Sequence, residues 1–165
     1  MNEFTIRSST SSDLAAIVRI ERANPAAAHW SESEYSKLWT KSDRDWVGFV
    51  AESAGEIIGF AIARETLREA DAPPEWELEN MAVAPEFHGR GVGTALLREL
   101  LVGVAPLQTS CKMMLEVRES NIGARRLYEN QGFEQVGRRK NYYGNPPEDA
   151  LLFEKKFTDL SMKIR

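Results

Sequence analysis

The segment that most constrains the fold is a glycine-rich turn between an apolar run at residues 81–85 and a helical run at residues 95–101. The first N–H groups of a helix have no acceptor within the helix, and they lie at the positive end of its dipole. Because glycine has no side chain, a ligand can approach these groups closely. The order strand, glycine turn, helix therefore predicts a βα unit whose turn can bind an anion such as a phosphate. A glycine-rich turn without a ligand is the alternative.

Two common phosphate-binding patterns do not fit this turn. The dinucleotide pattern G-x-G-x-x-G, read from Gly89 or from Gly91, lacks its last glycine. The P-loop pattern needs Gly-Lys-Ser/Thr, a tripeptide that the sequence does not contain. The pattern Q/R-x-x-G-x-G/A fits when it is read from His88. His88 then replaces the usual Gln or Arg, and Arg90 supplies a cation two residues later.

Composition and charge exclude several classes of protein. The 165 residues are 42% hydrophobic and 28% charged, which is ordinary for one globular domain. The formal net charge of −4 argues against a nucleic-acid binder, and no apolar run approaches the roughly 20 residues of a membrane helix. Two distant histidines and a single cysteine, Cys111, form no metal-ligand pattern. We therefore expect no metal, no membrane or nucleic-acid partner, a buried inert Cys111 and a reducing, cytoplasmic location.

Hydrophobic periodicity and turn residues predict the element order β-α-α-β-β-β-α-β-α-β-β. Strands at 46–53 and 56–67 flank a tight turn, and Asn121 is the predicted N-cap of a helix that ends at Gly132, with Phe133 packing back on it. This order predicts an α/β protein (an α+β mixed sheet) with helices on both faces. We expect one domain over residues 1–157 and a C-terminal tail at 158–165.

An acid and a tyrosine are the first candidates for chemistry. Glu116 lies in a predicted strand, where alternation puts it on one face with Met114 and Arg118. Glutamate is a poor strand former, so its presence needs a reason. It is either paired with an arginine on a solvated face or catalytic. Tyr128, on the following predicted helix, is either a core residue or a proton donor.

The sequence resembles a known family from residue 4 to residue 157. Besides the glycine turn and the element order, the resemblance is carried by LEVR at 115–118, SN at 120–121, LYE at 127–129, GF at 132–133, NYY at 141–143 and EDA at 148–150. These features resemble the GNAT acyl-CoA N-acyltransferases, in particular their ribosomal-protein-alanine branch, the bacterial protein Nα-acetyltransferases. The resemblance implies the GNAT fold, acetyl-CoA as acyl donor, and direct transfer to the α-amine of a protein N-terminus, such as that of a ribosomal protein.

The resemblance also implies roles for particular residues. Glu116 would accept a proton and Tyr128 would donate one to the leaving thiolate. In other branches of the family the base stands where this chain has Glu77, so Glu77 remains the second candidate. The residues implied to bind the coenzyme, by a strand end, the glycine turn and a helix cap, are Met81, Ala82, Val83, His88, Gly89, Arg90, Gly91, Val92, Gly93, Thr94 and Asn121.

Four residues are the candidates for binding the acceptor. The resemblance implies that Tyr142 and Tyr143 line the groove for a protein N-terminus and that Trp30 forms its opposite wall. Glu79 shares a strand face with Glu77 and could lie beside the same cleft. Simpler explanations stay open, because the tyrosines could form a cross-strand aromatic pair and the Trp30 segment could serve only as a helix cap.

Two other functions stay open as alternatives. The first is a GNAT acetyltransferase that acts on a lysine or on a small-molecule amine. An α-amine has a pKa of about 7.7–8.0, against about 10.4 for lysine, so a carboxylate can deprotonate it more readily near neutral pH. The second is a non-catalytic acyl-CoA-binding sensor, which would keep the glycine turn without a base and a donor. The joint presence of Glu116 and Tyr128 argues against the sensor.

Overall fold

The computed structural model describes residues 4–40, 45–67, 69, 72–105 and 110–157. Apart from two short 3₁₀ turns, the element order is the predicted one. The predicted tail at 158–165 lies outside the described residues. The elements are β1 (Thr5–Ser8), α1 (Leu14–Arg22), α2 (Glu32–Thr40), β2 (Trp46–Ser53), β3 (Glu56–Leu67), β4 (Glu75–Val83), α3 (Val92–Val104), β5 (Cys111–Arg118), α4 (Ile122–Asn130), β6 (Glu134–Gly144) and β7 (Pro147–Phe157).

The seven strands form one mixed sheet in the order β1-β2-β3-β4-β5-β7-β6. β1 pairs with β2, β2 with β3, β5 with β7, and β6 with β7, all antiparallel, whereas β4 and β5 are parallel. The parallel ladder runs from Glu75↔Lys112 to Glu77↔Met114, and beyond it β4 continues to Val83 and β5 to Arg118. The α/β class with a mixed sheet, predicted from the sequence, is confirmed.

Helix α4 begins and ends at the predicted residues. The Asn121 side chain caps it by accepting a hydrogen bond of 3.2 Å from Ala124 N. At the other end Gly132 has a φ of +82°, in the left-handed region that favours glycine. The Phe133 N–H donates to the carbonyl of Tyr128 at 3.0 Å, and the two rings lie 5.9 Å apart. This Schellman ending fixes the last turn of α4, which carries Tyr128.

The chain comprises two compact units. The first unit is Met1–Arg64 with Glu79–Gly103, and the second is Glu65–Leu78 with Val104–Arg165. In the first, apolar residues of α1, β2 and β3 form a buried cluster. Gly59 of β3 lets α3 approach, since a Cβ there would stand 3.1 Å from a methyl carbon of Leu96. The single domain over residues 1–157 stays a prediction.

The core of the second unit comes from the inward faces of β5 and β7. Along β5, buried and half-buried residues alternate, and the buried set is Cys111, Met113, Leu115 and Val117. Cys111 is 1% exposed, and burial raises the pKa of its thiol to about 11, so it is protonated at neutral pH. The prediction that Cys111 is buried is confirmed. The opposite face of β5 carries Glu116 and Arg118.

Candidate active site

The glycine turn has the geometry of an open anion cradle. Gly89 and Gly91 have φ values of +74° and +80°, and a Cβ at either would have no atom within 4 Å. Glycine is therefore required by the backbone conformation, while the space outside the turn is open. Because Ala95 N donates to Gly91 O at 3.0 Å, the N–H groups of residues 92–94 precede the hydrogen bonds within α3. This arrangement fits a pyrophosphate.

The strand end that precedes the turn is held by side chains of the first unit. The carbonyl oxygen of Val83 accepts hydrogen bonds from Asn24 Nδ2 at 3.1 Å and from His88 Nε2 at 2.7 Å. His88, which stands where the sequence pattern has Gln or Arg, thus ties the turn back to β4. Arg90 lies over the ring of Phe87, with its guanidinium carbon 5.2 Å from the ring centroid.

Two carboxylates and a tyrosine come together in the second unit. Glu116 Oε1 forms an ion pair with Arg139 Nε at 3.1 Å, and the Glu116 side chain is 19% exposed. The Tyr142 hydroxyl donates to Glu116, and the charge of Glu116 is the main cause of the raised pKa of Tyr142, with Glu77 adding to it. The guanidinium of Arg139 also lies 5.4 Å from the Tyr142 ring centroid. The charges of both candidate bases therefore raise the pKa of the same phenol, that of Tyr142.

Tyr143 extends this cluster along the same face of β5. Its ring stands edge-on to that of Tyr142, with centroids 5.2 Å apart, and the guanidinium carbon of Arg118 lies 3.9 Å from its centroid. Glu148 in turn bonds Arg118 at 3.4 Å and the N–H of Ser120 at 2.6 Å. Hydrogen bonds from Ser120 hold the pKa of Glu148 below its ordinary value. Arg118 on the ring of Tyr143 and Glu116 on the hydroxyl of Tyr142 thus hold the tyrosine pair in place.

Tyr128 is buried beside the tyrosine pair of its unit. Its ring packs on Phe133 and on Phe153, with centroids 5.9 and 6.5 Å away. Burial raises the pKa of Tyr128, and Tyr143 adds a smaller electrostatic effect. The phenol is consequently protonated at neutral pH, which is the state that a proton donor requires.

Three predicted site residues have structural contacts of their own. Glu79 is paired with Arg64 at 2.6 Å, in the first unit. Trp30, also in the first unit, stands 5.2 Å from the ring of Tyr35. Asn121 uses Oδ1 for the cap of α4. The predicted contact of Asn121 with the coenzyme is then assigned to its side-chain nitrogen, which does not take part in the cap.

A buried polar cluster around Glu21 is not evident from the sequence pattern. Glu21 is 1% exposed and accepts hydrogen bonds from Trp30 N at 2.8 Å, from Asn80 Nδ2 at 2.7 Å and from the Tyr35 hydroxyl. The available signal was an acid four residues after Ile17, on the apolar side of α1. Pairing of Glu116 with an arginine was one of the two interpretations of the sequence, but Arg139 was not identified as the partner, because the pair joins distant strands.

The described part of the chain contains neither a cluster of metal-ligating residues nor a membrane-spanning helix. There, three or more His, Cys, Asp or Glu residues nowhere come together as a group that could hold a metal ion. In that same part, every helix is too short or too polar to span a bilayer.

The open glycine turn at a helix start and the acid beside tyrosines on a mixed sheet fit the class that the sequence predicts, the acyl-CoA-dependent N-acyltransferases. Residues 14–133 match the Acetyltransferase (GNAT) family, and the chain belongs to that family. It is an N-acetyltransferase that uses acetyl-CoA as its acyl donor. The family resemblance and the GNAT fold expected from the sequence are both confirmed.

Relatives of known activity cover most of the chain. It is 34% identical over 150 residues to the [ribosomal protein bS18]-alanine N-acetyltransferase of Escherichia coli K12, covering 90% of this chain and 94% of that protein. It is 33% identical over 133 residues to the N-alpha-acetyltransferase RimI of Mycobacterium tuberculosis, covering 80% and 78%. The crystal structure of the Escherichia coli ribosomal-protein-S18-alanine N-acetyltransferase superposes with a TM-score of 0.74 and 32% identity, covering 94% of each chain.

Proposed function

We propose that this acetyltransferase acts on the α-amine of a protein N-terminus, with an N-terminal alanine of a ribosomal protein as the first candidate acceptor. The names of the Escherichia coli and Mycobacterium tuberculosis relatives support this acceptor class. The structural observation that carries the proposal is the hydrogen bond from the Tyr142 hydroxyl to Glu116, at a phenol whose pKa the charge of Glu77 also raises. Two carboxylates beside a hydrogen-bonding phenol suit an ammonium group that must be held and then deprotonated.

The glycine turn supplies the proposed site for the coenzyme. The N–H groups of residues 92–94 would bind the pyrophosphate, and the backbone of residues 81–83 would bind the pantetheine arm. Bound acetyl-CoA supplies an acetyl thioester, whose carbonyl carbon is the electrophile. The Val83 N–H would polarise the carbonyl oxygen. Asn121 would contact the coenzyme through its side-chain nitrogen.

Glu116 is the proposed proton acceptor, and Glu77 is its alternative. The carboxylate of Glu116 removes a proton from the acceptor ammonium, directly or through a water molecule. The Arg139 ion pair is what a purely structural acid on a solvated face would also show. The Tyr142 hydroxyl and the nearby charge of Glu77 favour the functional interpretation, because a solvated structural pair does not require either of them.

Tyr128 is the proposed proton donor. Its phenol is buried and protonated, so it can give a proton to the sulfur that leaves when the amine attacks. The Schellman ending of α4 and the ring of Phe133 fix the position of its side chain. No covalent enzyme intermediate is required, since the deprotonated amine is itself the nucleophile.

The acceptor class is tested by an acetylation assay with three kinds of amine. Purified protein is incubated with acetyl-CoA and an alanine-starting peptide, the same peptide blocked at its N-terminus but carrying a lysine, or a polyamine. We expect transfer to the free α-amine at least about tenfold faster than to either other amine near pH 7, since far more of it is deprotonated. Preferred transfer to the blocked lysine peptide or the polyamine would refute the proposed acceptor.

The base is tested by Glu116→Gln and Glu77→Gln in the same assay. We expect Glu116→Gln to lower kcat about 100-fold near pH 7 with little change in the affinity for acetyl-CoA, because a positioned base contributes about 10²–10⁴-fold. Glu134→Gln, on an exposed site of β6, is the matched control and should retain full activity. Unchanged turnover in Glu116→Gln, together with a large loss in Glu77→Gln, would transfer the role to Glu77.

A further inference from the structure

The pairing of β6 with β7 is interrupted beside the tyrosine pair. Arg139 is opposite Ala150 and Tyr143 is opposite Glu148, so residues 140–142 of β6 face the single residue Asp149 of β7. Asn141, in the middle of this bulge, has a φ of +51°. Backbone in that region is uncommon for residues other than glycine, and bulges of this kind re-aim side chains near active sites.

The bulge explains how two consecutive tyrosines reach the same face of β5. In a regular strand, neighbouring side chains point to opposite faces. Tyr142 nevertheless bonds Glu116 while Tyr143 stacks on Arg118, and these two β5 residues lie two apart on one face. The edge-on contact between the two rings, at 5.2 Å, follows from the same distortion. A regular strand would separate the pair.

Asp149 holds the bulge in this conformation. Its Oδ1 accepts the N–H of Asn141 at 2.9 Å, and its Oδ2 accepts Arg138 Nη1 at 2.8 Å. Arg138 in turn bonds both carboxylate oxygens of Glu119, at 2.6 and 3.0 Å. The Asn141 N–H and Arg138 keep the pKa of Asp149 below its ordinary value, so the carboxylate is charged at neutral pH. The Asp149 side chain thus fixes the backbone of the bulge and links it, through Arg138, to Glu119.

We propose that Asp149 is a positioning residue for the acceptor, which it serves by holding residues 140–142 so that Tyr142 and Tyr143 both face Glu116 and Arg118. This proposal rests on the proposed function, in which the tyrosine pair lines the acceptor groove. Asp149 does not touch the reacting atoms. Its loss therefore weakens acceptor binding, whereas binding of acetyl-CoA at the glycine turn stays as it is.

The main competing interpretation is that Asp149 only stabilises the β6–β7 hairpin. In that case its replacement would lower the melting temperature and the amount of active protein, and both KM values would stay the same. A selective rise in the KM for the acceptor is expected only if the bulge sets the groove. The KM values for the acceptor and for acetyl-CoA therefore distinguish the two interpretations, whereas the melting temperature does not.

The test compares Asp149→Ala with Asp149→Asn in the full chain, with Glu134→Ala as the matched control at the other end of β6. In Asp149→Ala we expect the acceptor KM to rise about tenfold and amide exchange of Asn141 to accelerate by a similar factor, with the KM for acetyl-CoA within twofold of wild type. Asp149→Asn keeps an oxygen acceptor for the Asn141 N–H, so it should lie between Asp149→Ala and wild type. If Asp149→Ala does not fold, Arg138→Gln replaces it. This variant removes the hydrogen bond from Arg138 to Asp149, and we expect the same selective rise in the acceptor KM.

An acceptor KM within twofold of wild type in folded Asp149→Ala would overturn the proposal, as would an equal rise in both KM values. Amide exchange of Asn141 needs no acceptor, so it tests the hydrogen bond even if the proposed function fails. Failure of the proposed function would show differently, as wild-type protein that acetylates a lysine or a polyamine in preference to an N-terminus. The KM of that amine would then replace the peptide KM in the same comparison.

Discussion

Replacing Glu21 is expected to destabilise the first unit strongly. Its carboxylate accepts three hydrogen bonds, from the Trp30 N–H, the Asn80 amide and the Tyr35 hydroxyl. Tyr35 is 0% and Asn80 is 5% exposed, so water cannot readily replace the lost acceptor. Asn80 and Tyr35 also keep their own hydrogen bond of 2.7 Å, which limits the loss to one donor on each.

The magnitude follows from the donors left without an acceptor. A buried unsatisfied donor costs about 1–3 kcal/mol. Two of them, with the N–H of the half-buried Trp30 adding less, predict a loss of about 3–5 kcal/mol for Glu21→Ala. Glu21→Gln keeps one acceptor oxygen but places an NH₂ group among donors, and it should cost about 1–2 kcal/mol. Such losses are large against a typical total stability of about 5–15 kcal/mol.

The assay is urea unfolding followed by far-UV circular dichroism, with the free energy of unfolding obtained from midpoint and slope. Glu32→Ala is the matched control, because Glu32 is 65% exposed and lies 3.6 Å from Arg22 in a surface pair. An exposed pair of this kind contributes little, so the control should stay within about 0.5 kcal/mol of wild type. If Glu21→Ala also stayed within that range, the inference that this cluster organises the first unit would be wrong.

Three further outcomes are expected. Tyr128→Phe should slow acetyl transfer at least about tenfold and leave the affinity for acetyl-CoA unchanged, as measured by single turnover and calorimetry; full activity would remove it as the donor. Gly91→Ala and Gly55→Ala both strain a positive-φ turn (+80° and +82°) and should each cost about 1–2 kcal/mol in urea unfolding, but only Gly91→Ala should raise the KM for acetyl-CoA. The hydrogen bond from Arg7 lowers the pKa of Asp13 below its ordinary value of 3.8, so the charged carboxylate stabilises the fold above that pH, and this contribution is lost as the pH falls through the lowered pKa. Wild type should therefore lose more stability between pH 4 and pH 2 than Asp13→Asn does. Equal losses in urea unfolding would contradict this.

Local sequence signals were sufficient for several parts of the fold. The bounds of β2 and β3 match the prediction because the turn between them, at Ala54-Gly55, is specified by adjacent residues. The caps of α4 at Asn121 and Gly132 were predicted for the same reason, since each depends on residues within one helical turn. Alternation also placed Glu116 on the correct face of β5.

The parts that the sequence did not predict depend on register between distant strands. The contact of Arg139 with Glu116 needs β6 to be aligned across β7 onto β5, and a bulge changes that alignment without changing the alternation of residue types. The buried Glu21 cluster joins α1 to Asn80, which is 59 residues away. Sequence periodicity carries no information on such pairings, because it reports which face is buried and not which partner lies opposite.

The ending of α4 has a consequence for engineering of this enzyme. The backbone carbonyl of Tyr128 accepts the N–H of Phe133, and the Tyr128 ring packs on the Phe133 ring. The end of the helix and the orientation of the phenol are therefore fixed by the same two residues. A variant library aimed at new acceptors can therefore diversify the exposed Tyr142 without disturbing the contacts between Tyr128 and Phe133. The same library should keep Gly132 fixed, because a side chain there would strain the left-handed turn that ends the helix carrying the phenol.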